Sequence, residues 1–543
     1  MLLVAACAQP PSEIAGNTEI LGFKGYACAD NGVARFDRLR FDSTGKVVCR
    51  GEDCDVLPTA GRRIDAGGMT LWPGLIDAHA HLQVLGKARQ QLDLTNTPDL
   101  ATTLDRLAQW ADSRPDDEWI LGRGWNQMQW PSKTFPAAAD LDKVVADRPV
   151  VLERVDGHAV WVNTAALEKA GINRQTRSPN GGEILRDENA EATGILIDNA
   201  ETLVTRYIPK ITIEGAADGY RIAIREANAN GLTGVHEAGA SFEQLQALKS
   251  VADGGDLTLR VYAMLSDSDD NLDRQGAPEI GLYDDRISIR SVKIYADGAL
   301  GSRGAALLSA YQDRPETAGL LFLEEDALFA RIQKANGLGY QAAIHAIGDR
   351  ANRIALNAIA RAQKGEKSPL RNRIEHAQVL SVQDIPRFSQ LGVIASMQPV
   401  HATSDMWMAE ERLDPDRLAG AYAWQRLRKT GAKLAFGSDF PVEPVNPFFG
   451  LHAAVTRQDR QGEPPGGWRA AEAMSLETAL CGFTRDAAFA AGEETRVGSL
   501  LPGQWADFIL LKQDPFAIDK SDLWQVQVQE TWLAGQRVYD RNH

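Results

Sequence analysis

The stretch LWPGLIDAHAHL, residues 71–82, constrains the fold of this 543-residue chain more than any other feature. Leu75 and Ile76 belong to a short apolar run that is typical of a buried strand, and a Pro-Gly pair marks its entry. His79 and His81 stand at its C-terminal end. Side chains two residues apart on a strand point to the same side, so both imidazoles can face one point. Taken alone, the pair indicates either half of a divalent metal site or two polar residues leaving a strand.

The composition is that of a large globular protein with an excess of acidic residues. The chain is 44% apolar and 24% charged, and 58 Lys and Arg against 73 Asp and Glu give a net charge of −15. This length provides for a large core and at least one accessory domain. An acidic balance without basic runs argues against nucleic acid or an anionic membrane surface as a partner, and no apolar segment approaches the ~20 residues of a membrane span. We expect a small-molecule substrate. The composition is compatible with a homo-oligomer.

The N-terminus has some features of an exported chain. Residues 3–7 resemble the end of a bacterial lipoprotein signal and the following Pro-Pro-Ser looks like a tether, although a basic start and a longer apolar stretch are lacking. We interpret residues 1–17 as a candidate signal or lipoprotein remnant with a tether. This favours a periplasmic or lipid-anchored location over a cytoplasmic one. A Cys49–Cys54 disulfide would suit an oxidising compartment.

Both ends of the chain have a pattern of short strands and turns. Residues 18–70 alternate apolar runs with turn residues such as Gly45 and Gly51, and the same pattern returns in residues 497–543. These two segments flank the long middle of the chain. We therefore predict that they form one small composite β-sandwich.

Strands and helices alternate through residues 71–496, which indicates a parallel α/β architecture. Eight strand candidates occur there, namely LIDAHAH and then residues 233–239, 259–265, 291–298, 340–349, 373–379, 392–400 and 433–441. Eight strands in this rhythm predict a TIM-like (β/α)8 barrel. The interval after the first strand, about residues 82–210, is too long for one crossover and therefore predicts an insertion.

Polar residues cluster at or near the ends of five of these strands, where barrels place their active sites. They are His79, His81, Lys293, His345, His376 and Asp439. Any one of them could be structural, but together they predict a metal centre. Lys293 stands apart, because an ammonium group cannot ligate a metal. It is either a buried lysine paired with Asp297 or a carbamate, formed with carbon dioxide, whose two oxygens bridge two cations.

Four further residues are candidates for substrate binding. They are Trp125 and His158 in the insertion, Arg303 after the fourth strand and Gln398 after the seventh. Structural alternatives are core packing for Trp125, a loop cap for His158 and a loop salt bridge for Arg303.

The motifs DAHAH, VKIYADGALGSRGA, AIHAIGD, IEHAQ and AFGSDFPVEP resemble the amidohydrolase superfamily. Within it the chain is similar to the amidohydrolase-3, or YtcJ-like, group, which includes N-substituted formamide deformylases. The insertion segments GRGWNQMQWPSKTFPAAADLDKV and DGHAVWVNTAAL and the C-terminal GSLLPGQWADFILL extend the similarity over nearly the whole chain.

The resemblance implies a binuclear metal centre, most often of zinc. In it His79, His81 and Asp439 would hold one ion, His345 and His376 would hold the second, and carboxylated Lys293 would bridge them. Zinc lowers the pKa of bound water towards ~7, and a second ion polarises the scissile carbonyl. Asp439 is placed to move the proton of that water to the leaving amine.

We therefore expect a metal-dependent hydrolase that cleaves a small amide-type C–N bond, such as an N-formyl or N-acyl bond, outside peptide chains. Metal-bound hydroxide would attack, with Asp439 as proton shuttle and with His345 and His376 in the catalytic centre. One alternative is an ester, lactone or cyclic amide cleaved at the same site. A more remote alternative is an inactive binding protein on the same barrel.

Overall fold

The structure, a computed structural model, describes residues 14–29, 32–155 and 157–542. The candidate signal and tether at residues 1–17 therefore lie outside the described residues, except for the last four, which begin the strand Ile14–Leu21. The chain divides into two compact units, one of residues 1–83 with 220–543 and one of residues 84–219. Within the described ranges no helix is long and apolar enough to cross a membrane.

The first unit contains two further β-sheets, one of N-terminal strands alone and one that combines strands from both ends of the chain. In spatial order, the four-stranded sheet consists of Val47–Arg50, Leu39–Phe41, Ile14–Leu21 and Ala60–Asp65. In spatial order, the six-stranded sheet consists of Gln536–Asp540, Val528–Leu533, Phe508–Leu511, Thr70–Pro73, Lys24–Ala29 and Gly32–Phe36. Leu510 lies opposite Leu71 in an antiparallel pairing, so the C-terminal strands complete a sheet that the N-terminal strands begin.

The two sheets share one apolar core. Ile20 and Phe41 from the four-stranded sheet belong to the same buried cluster as Phe508 and Trp532 from the six-stranded sheet. The Phe508 and Trp532 rings stack with their centroids 5.2 Å apart. Leu39 and Phe41, and likewise Phe508 and Leu510, are two residues apart on their strands and face this core. The predicted composite β-sandwich is confirmed.

Eight parallel strands form the barrel, as predicted. We number them β1 (Leu75–Ala80), β2 (Leu232–Ala240), β3 (Arg260–Ser266), β4 (Ile287–Tyr295), β5 (Gln341–Ala346), β6 (Arg373–His376), β7 (Ile394–Met397) and β8 (Leu434–Phe436). Each strand pairs with the next one along the chain from β1 to β8, and every one of these pairings is parallel. A short strand, Glu279–Gly281, adds an antiparallel partner to β4.

Several barrel strands are shorter at their C-terminal ends than the apolar pattern indicates. β6 ends at His376 and β8 at Phe436, where the sequence predicted strands to residues 379 and 441. The backbone leaves the extended conformation there, with φ of 71° at His376, 42° at Ala377 and 66° at Asp439. These positive φ angles are rare for residues other than glycine. They occur where the surrounding fold holds a side chain in a particular direction.

Residues just beyond the ends of β1 and β8 join the first and last strands. The Asp439 N–H donates to the His79 carbonyl at 2.7 Å, and the His81 N–H donates to the Phe440 carbonyl at 2.8 Å. The Ser438 hydroxyl and backbone N–H both donate to the buried Asp77 carboxylate. The barrel is therefore nearly closed, although β1 and β8 share no continuous ladder.

Helices separate the barrel strands and follow the last one. They are Phe242–Asp253, Asp269–Gln275, Glu325–Gly337, Asp349–Ala362, Ile385–Leu391, Pro399–Ser404, Met406–Arg412, Pro415–Leu418, Trp424–Lys429, Pro447–Thr456, Leu476–Gly482 and Arg485–Ala491. The helices Leu82–Arg89 and Ile213–Ala229 contain the two points at which the chain passes between its units.

The second unit, residues 84–219, overlaps the insertion expected at about residues 82–210. In spatial order, its six-stranded sheet consists of Gly182–Arg186, Ala192–Asp198, Ala159–Val162, Val150–Arg154, Ile120–Trp125 and Leu92–Asp93. Its helices are Leu100–Asp112, Ala138–Asp142, Thr164–Ala170 and Thr202–Thr205. Trp125, Trp130 and Trp161 pack together in one of its cores.

Two disulfides are present among the residues that the structure describes. Cys49–Cys54 closes a short loop in the β-sandwich, as the sequence suggested. Cys28–Cys481 joins the strand Lys24–Ala29 to the helix Leu476–Gly482 across a sequence separation of 453. Disulfides of this kind persist in oxidising compartments.

We expect replacement of both Cys28 and Cys481 by Ser to lower the melting temperature by several degrees under non-reducing conditions. A disulfide that closes a long loop contributes about 2–5 kcal/mol, largely by restricting the unfolded chain. The matched control replaces Cys49 and Cys54 by Ser. It should have a smaller effect, because that loop has a sequence separation of only 5. Equal shifts measured by calorimetry would contradict this account.

Gly437 is the point at which the end of β8 comes closest to β1. A Cβ atom there would lie 2.5 Å from both Asp77 Oδ1 and the His79 backbone nitrogen. Gly437→Ala should therefore lower the free energy of unfolding by about 1–3 kcal/mol, measured by denaturant titration. Gly337→Ala is the matched control, because nothing lies within 4 Å of a Cβ at that helical position. A loss of stability no larger than that of the control would contradict the close approach.

Candidate metal centre

The end of β1 directs two imidazoles at one carboxylate oxygen. His79 is fully buried in β1, and His81 follows directly after the strand. Their Nε2 atoms lie 3.6 Å and 3.1 Å, respectively, from Oδ1 of Asp439. The two-residue spacing on a strand accounts for this common direction.

The carboxylate of Asp439 is buried and ionised. Its side chain is buried, yet its Oδ1 atom forms no hydrogen bond. Burial opposes ionisation, but the neighbouring imidazoles of His81 and His79 hold the pKa of Asp439 well below its usual value. A buried anionic oxygen that faces two ring nitrogens without a hydrogen bond is well suited to a cation.

Lys293 lies on β4 with its amine directed at the same point. Its Nζ atom is 3.0 Å from Nε2 of His79 and 5.1 Å from the centre of the Tyr295 ring. The alternative pairing with Asp297 is not formed, since Asp297 accepts the backbone N–H groups of three other residues instead. Burial lowers the pKa of Lys293 to about 8, which favours the neutral amine more than in an exposed lysine.

His345 at the end of β5 and His376 at the end of β6 stand side by side. Their ring centroids are 4.6 Å apart, and the His376 ring is 4.7 Å from that of His79. The buried Nε2 atom of His345 has no hydrogen-bond partner, and the nearest carboxylate oxygen is Asp297 Oδ1 at 3.7 Å.

These strand ends bring potential ligand atoms together. One such atom each from His79, His376 and Asp439 lies within 4.8 Å of the other two. The buried atoms without a hydrogen bond here are His345 Nε2, His401 Nε2 and Asp439 Oδ1. Imidazole nitrogens and carboxylate oxygens are common ligands of zinc and similar divalent ions. The side chains present therefore fit a divalent metal ion.

Hydrogen bonds fix the tautomers of two of the imidazoles. His79 donates from Nδ1 to Glu375 Oε2 at 2.5 Å, and His376 donates from Nδ1 to Gln398 Oε1 at 2.8 Å. A neutral imidazole that carries its proton on Nδ1 keeps a lone pair on Nε2. In His376 that lone pair is available to a metal, and in His79 a metal would replace the present hydrogen bond with Lys293 Nζ, which is the usual arrangement of ligating histidines.

The imidazoles of His79, His345 and His376 are neutral near pH 7. Burial, followed by the charge of Lys293, lowers the pKa of His79 to about 4 and that of His345 to about 3. Burial and the neighbouring imidazoles lower the pKa of His376 as well. Metal ligation requires the neutral imidazole, so these shifts favour binding of a metal at neutral pH.

Glu375, which accepts from His79, and Arg373, which donates to Glu375, lie behind the predicted ligands and were not among the candidates from the sequence. Both are fully buried in β6, and Arg373 Nε donates to Glu375 Oε1 at 2.5 Å. Alternation places these two side chains on one face of β6, and the positive φ of His376 departs from the extended strand and redirects the next side chain. The signal available in the sequence was a charged pair, Arg-x-Glu, inside an otherwise apolar strand.

The candidate substrate residues have other contacts. Arg303 pairs with Asp313 at 2.6 Å, which is the loop salt bridge named as its alternative. His158, on the insertion unit, is 73% exposed and lies 2.8 Å from Asp198. Trp125 has no exposed surface and donates its ring N–H to a backbone carbonyl in the core of its unit. Gln398 accepts the hydrogen bond from His376 described above.

His401 and Tyr295 also lie against the predicted ligands. The His401 ring stacks on that of His376 with a centroid distance of 6.1 Å, and its Nε2 atom is 3.9 Å from Asp439 Oδ2. The Tyr295 ring is 5.2 Å from that of His345. Tyr295 is the last residue of β4 and lies two positions after Lys293, on the same face of the strand, which was the available sequence signal.

Comparison with known proteins identifies the family. The model of the Amidohydro_3 amidohydrolase family matches residues 62–539. The chain is 34% identical over 496 residues to "Putative amidohydrolase YtcJ" of Bacillus subtilis (strain 168), covering 88% of this chain and 90% of that protein. It is 26% identical over 525 residues to the N-substituted formamide deformylase of Arthrobacter pascens, covering 92% and 94%.

A solved structure supports the same relationship. The crystal structure of an uncharacterized metal-dependent hydrolase from Pyrococcus horikoshii OT3 superimposes with a TM-score of 0.77 at 27% identity, covering 93% of this chain and 99% of that one. The resemblance described from the sequence motifs is confirmed. The strand ends that gather four imidazoles, a lysine and an aspartate belong to a known barrel architecture, and the chain is a member of the amidohydrolase family.

Proposed function

We propose that this protein is a metal-dependent hydrolase that cleaves a small amide-type C–N bond, such as an N-formyl or N-acyl bond. The observation that carries the proposal is the convergence of buried His79, His376 and Asp439 ligand atoms within 4.8 Å. Two similar proteins, a metal-dependent hydrolase and an N-substituted formamide deformylase, support the reaction class.

In the proposed centre, His79, His81 and Asp439 hold one divalent ion, and His345 and His376 hold the other. The neutral Nε2 atoms of His79 and His376 and the anionic Asp439 support this assignment. Bound zinc ions would lower the pKa of a water molecule and polarise the carbonyl of the substrate.

Lys293 is proposed to complete the centre as a carbamate. Its Nζ atom would form a bond to the carbon of carbon dioxide and release one proton, which gives a carbamate whose single negative charge is shared by two oxygens that could hold the two ions. The neutral amine is the reactive form, and the pKa of about 8 supports its presence near neutral pH. The nearby imidazole of His79 marks the direction in which the new oxygens would point.

Asp439 is proposed as the proton shuttle. Its carboxylate is ionised and buried, so it can accept the proton of the attacking water. It would then donate that proton to the leaving nitrogen, because an amide nitrogen leaves readily only when protonated. Burial excludes competing bulk water from this exchange.

The first test measures metal content and substrate preference on one preparation made without chelators. Two equivalents of metal per chain are expected, together with hydrolysis of N-formyl or N-acyl amines. An ester matched in its acyl group and leaving-group size distinguishes the alternative bond. Faster turnover of the ester at every matched pair would contradict the amide assignment. Absence of metal after reconstitution with zinc or manganese would contradict the hydrolase itself.

Asp439→Asn should reduce kcat by about 10²–10⁴-fold while largely keeping the metal. The amide oxygen can still face the cation, but the side chain can no longer accept the proton. Asp384→Asn is the control, because that buried carboxylate contacts Arg353 and Arg387 and none of the proposed ligands. Activity of Asp439→Asn equal to that of the control would exclude the shuttle role.

Lys293→Ala should lose most activity and at least one equivalent of metal. Added acetate or propionate should restore part of both, because a small carboxylate supplies the two oxygens that the carbamate provided. Metal analysis and initial rates with and without the acid measure this rescue. A variant that kept two ions and the full rate would show that no bridging carbamate is needed.

A further inference from the structure

His79 and His376 donate to chemically different groups. The acceptor for His79 Nδ1 is the carboxylate of Glu375, at 2.5 Å. The acceptor for His376 Nδ1 is the neutral amide of Gln398, at 2.8 Å. The histidines proposed for the two ions therefore donate to different kinds of acceptor, a carboxylate for His79 and a neutral amide for His376.

Glu375 forms a salt bridge with Arg373, and both side chains are fully buried. Arg373 contacts both carboxylate oxygens and also donates to the Ala78 carbonyl and to Ser396. The carboxylate therefore has partners on each oxygen and cannot turn away from His79.

A carboxylate acceptor increases the electron density of the imidazole to which it is hydrogen-bonded. A ring supported in this way is a stronger metal ligand than one that donates to a neutral amide. Loss of such a supporting group typically costs 10–100-fold in metal affinity. The difference between Glu375 and Gln398 therefore has a measurable consequence for the two ions.

We propose that Glu375 and Gln398 give the two metal ions unequal affinities, which we call grading of the centre. The ion held through His79 binds more tightly and dissociates more slowly than the ion held through His376. This inference rests on the proposed two-ion centre. Glu375 and Gln398 are positioning residues, since each acts on the metal through a histidine. The grading would let the protein keep one ion permanently while the second exchanges with the surroundings.

The test follows release of zinc from the loaded full-length protein into excess chelator. The wild type should release two equivalents in two phases. Glu375→Gln should accelerate the slow phase by about 10–100-fold and leave the fast phase unchanged. Gln398→Glu should slow the fast phase by a similar factor. The second variant is informative because a purely structural role of Gln398 predicts no gain in affinity.

Glu472→Gln is the matched control. Glu472 is a buried carboxylate that accepts backbone N–H groups and pairs with Arg426, and it contacts none of the proposed ligands. It should change neither phase. If Glu375→Gln does not fold, because buried Arg373 is left without its carboxylate, Gln398→Glu alone decides the question.

The outcomes separate this inference from the proposed function. Two equivalents in the wild type with release rates that neither variant alters would overturn the grading and leave the hydrolase intact. Opposite shifts, with Glu375→Gln slower or Gln398→Glu faster, would also overturn it. A wild type that binds no zinc would instead overturn the proposed function.

Discussion

The rest of the site depends on how the first and last barrel strands meet. Two backbone hydrogen bonds, from Asp439 to His79 and from His81 to Phe440, align the ends of β1 and β8. Asp77 reinforces this junction by accepting from Ser438. Because His79, His81 and Asp439 are also candidate ligands, the contacts that close the barrel also assemble the metal centre. A shift of one residue between these strands would turn both imidazoles away from the carboxylate.

The β-sandwich is part of this arrangement. Its strand Thr70–Pro73 is separated from β1 by Gly74 alone, so the strand that bears His79 is anchored in two sheets. That strand pairs with Phe508–Leu511 from the C-terminal part of the chain. The sheet, the Cys28–Cys481 disulfide and the barrel therefore connect both termini to the element on which the site is built.

A buried charge network supports the site at an energetic cost. Arg373 and Glu375 are both fully buried, and removing such charges from water is expensive unless every donor and acceptor is satisfied. Arg373 meets this condition through Glu375, Ala78, Ser396 and His236. A network of this kind fixes side-chain orientation more than it stabilises the fold. Its position behind His79 is consistent with a role in tuning a ligand.

The sequence by itself determined the features that depend on local periodicity. Alternating strands and helices indicated the barrel, and the spacing of His79 and His81 indicated their common direction. Turn-rich segments at both ends indicated the sandwich. The motifs then indicated the family, and with it the roles expected of Lys293 and Asp439.

Only the tertiary structure decided which distant side chains become partners. Glu375 reaches His79 across 296 positions, and Cys28 reaches Cys481 across 453. The pairing of Arg303 with Asp313 and the burial of Trp125 were equally undecided in the sequence, since structural and functional alternatives share the same local pattern. Periodicity specifies the face on which a side chain lies, whereas the group it meets there depends on how separate elements pack.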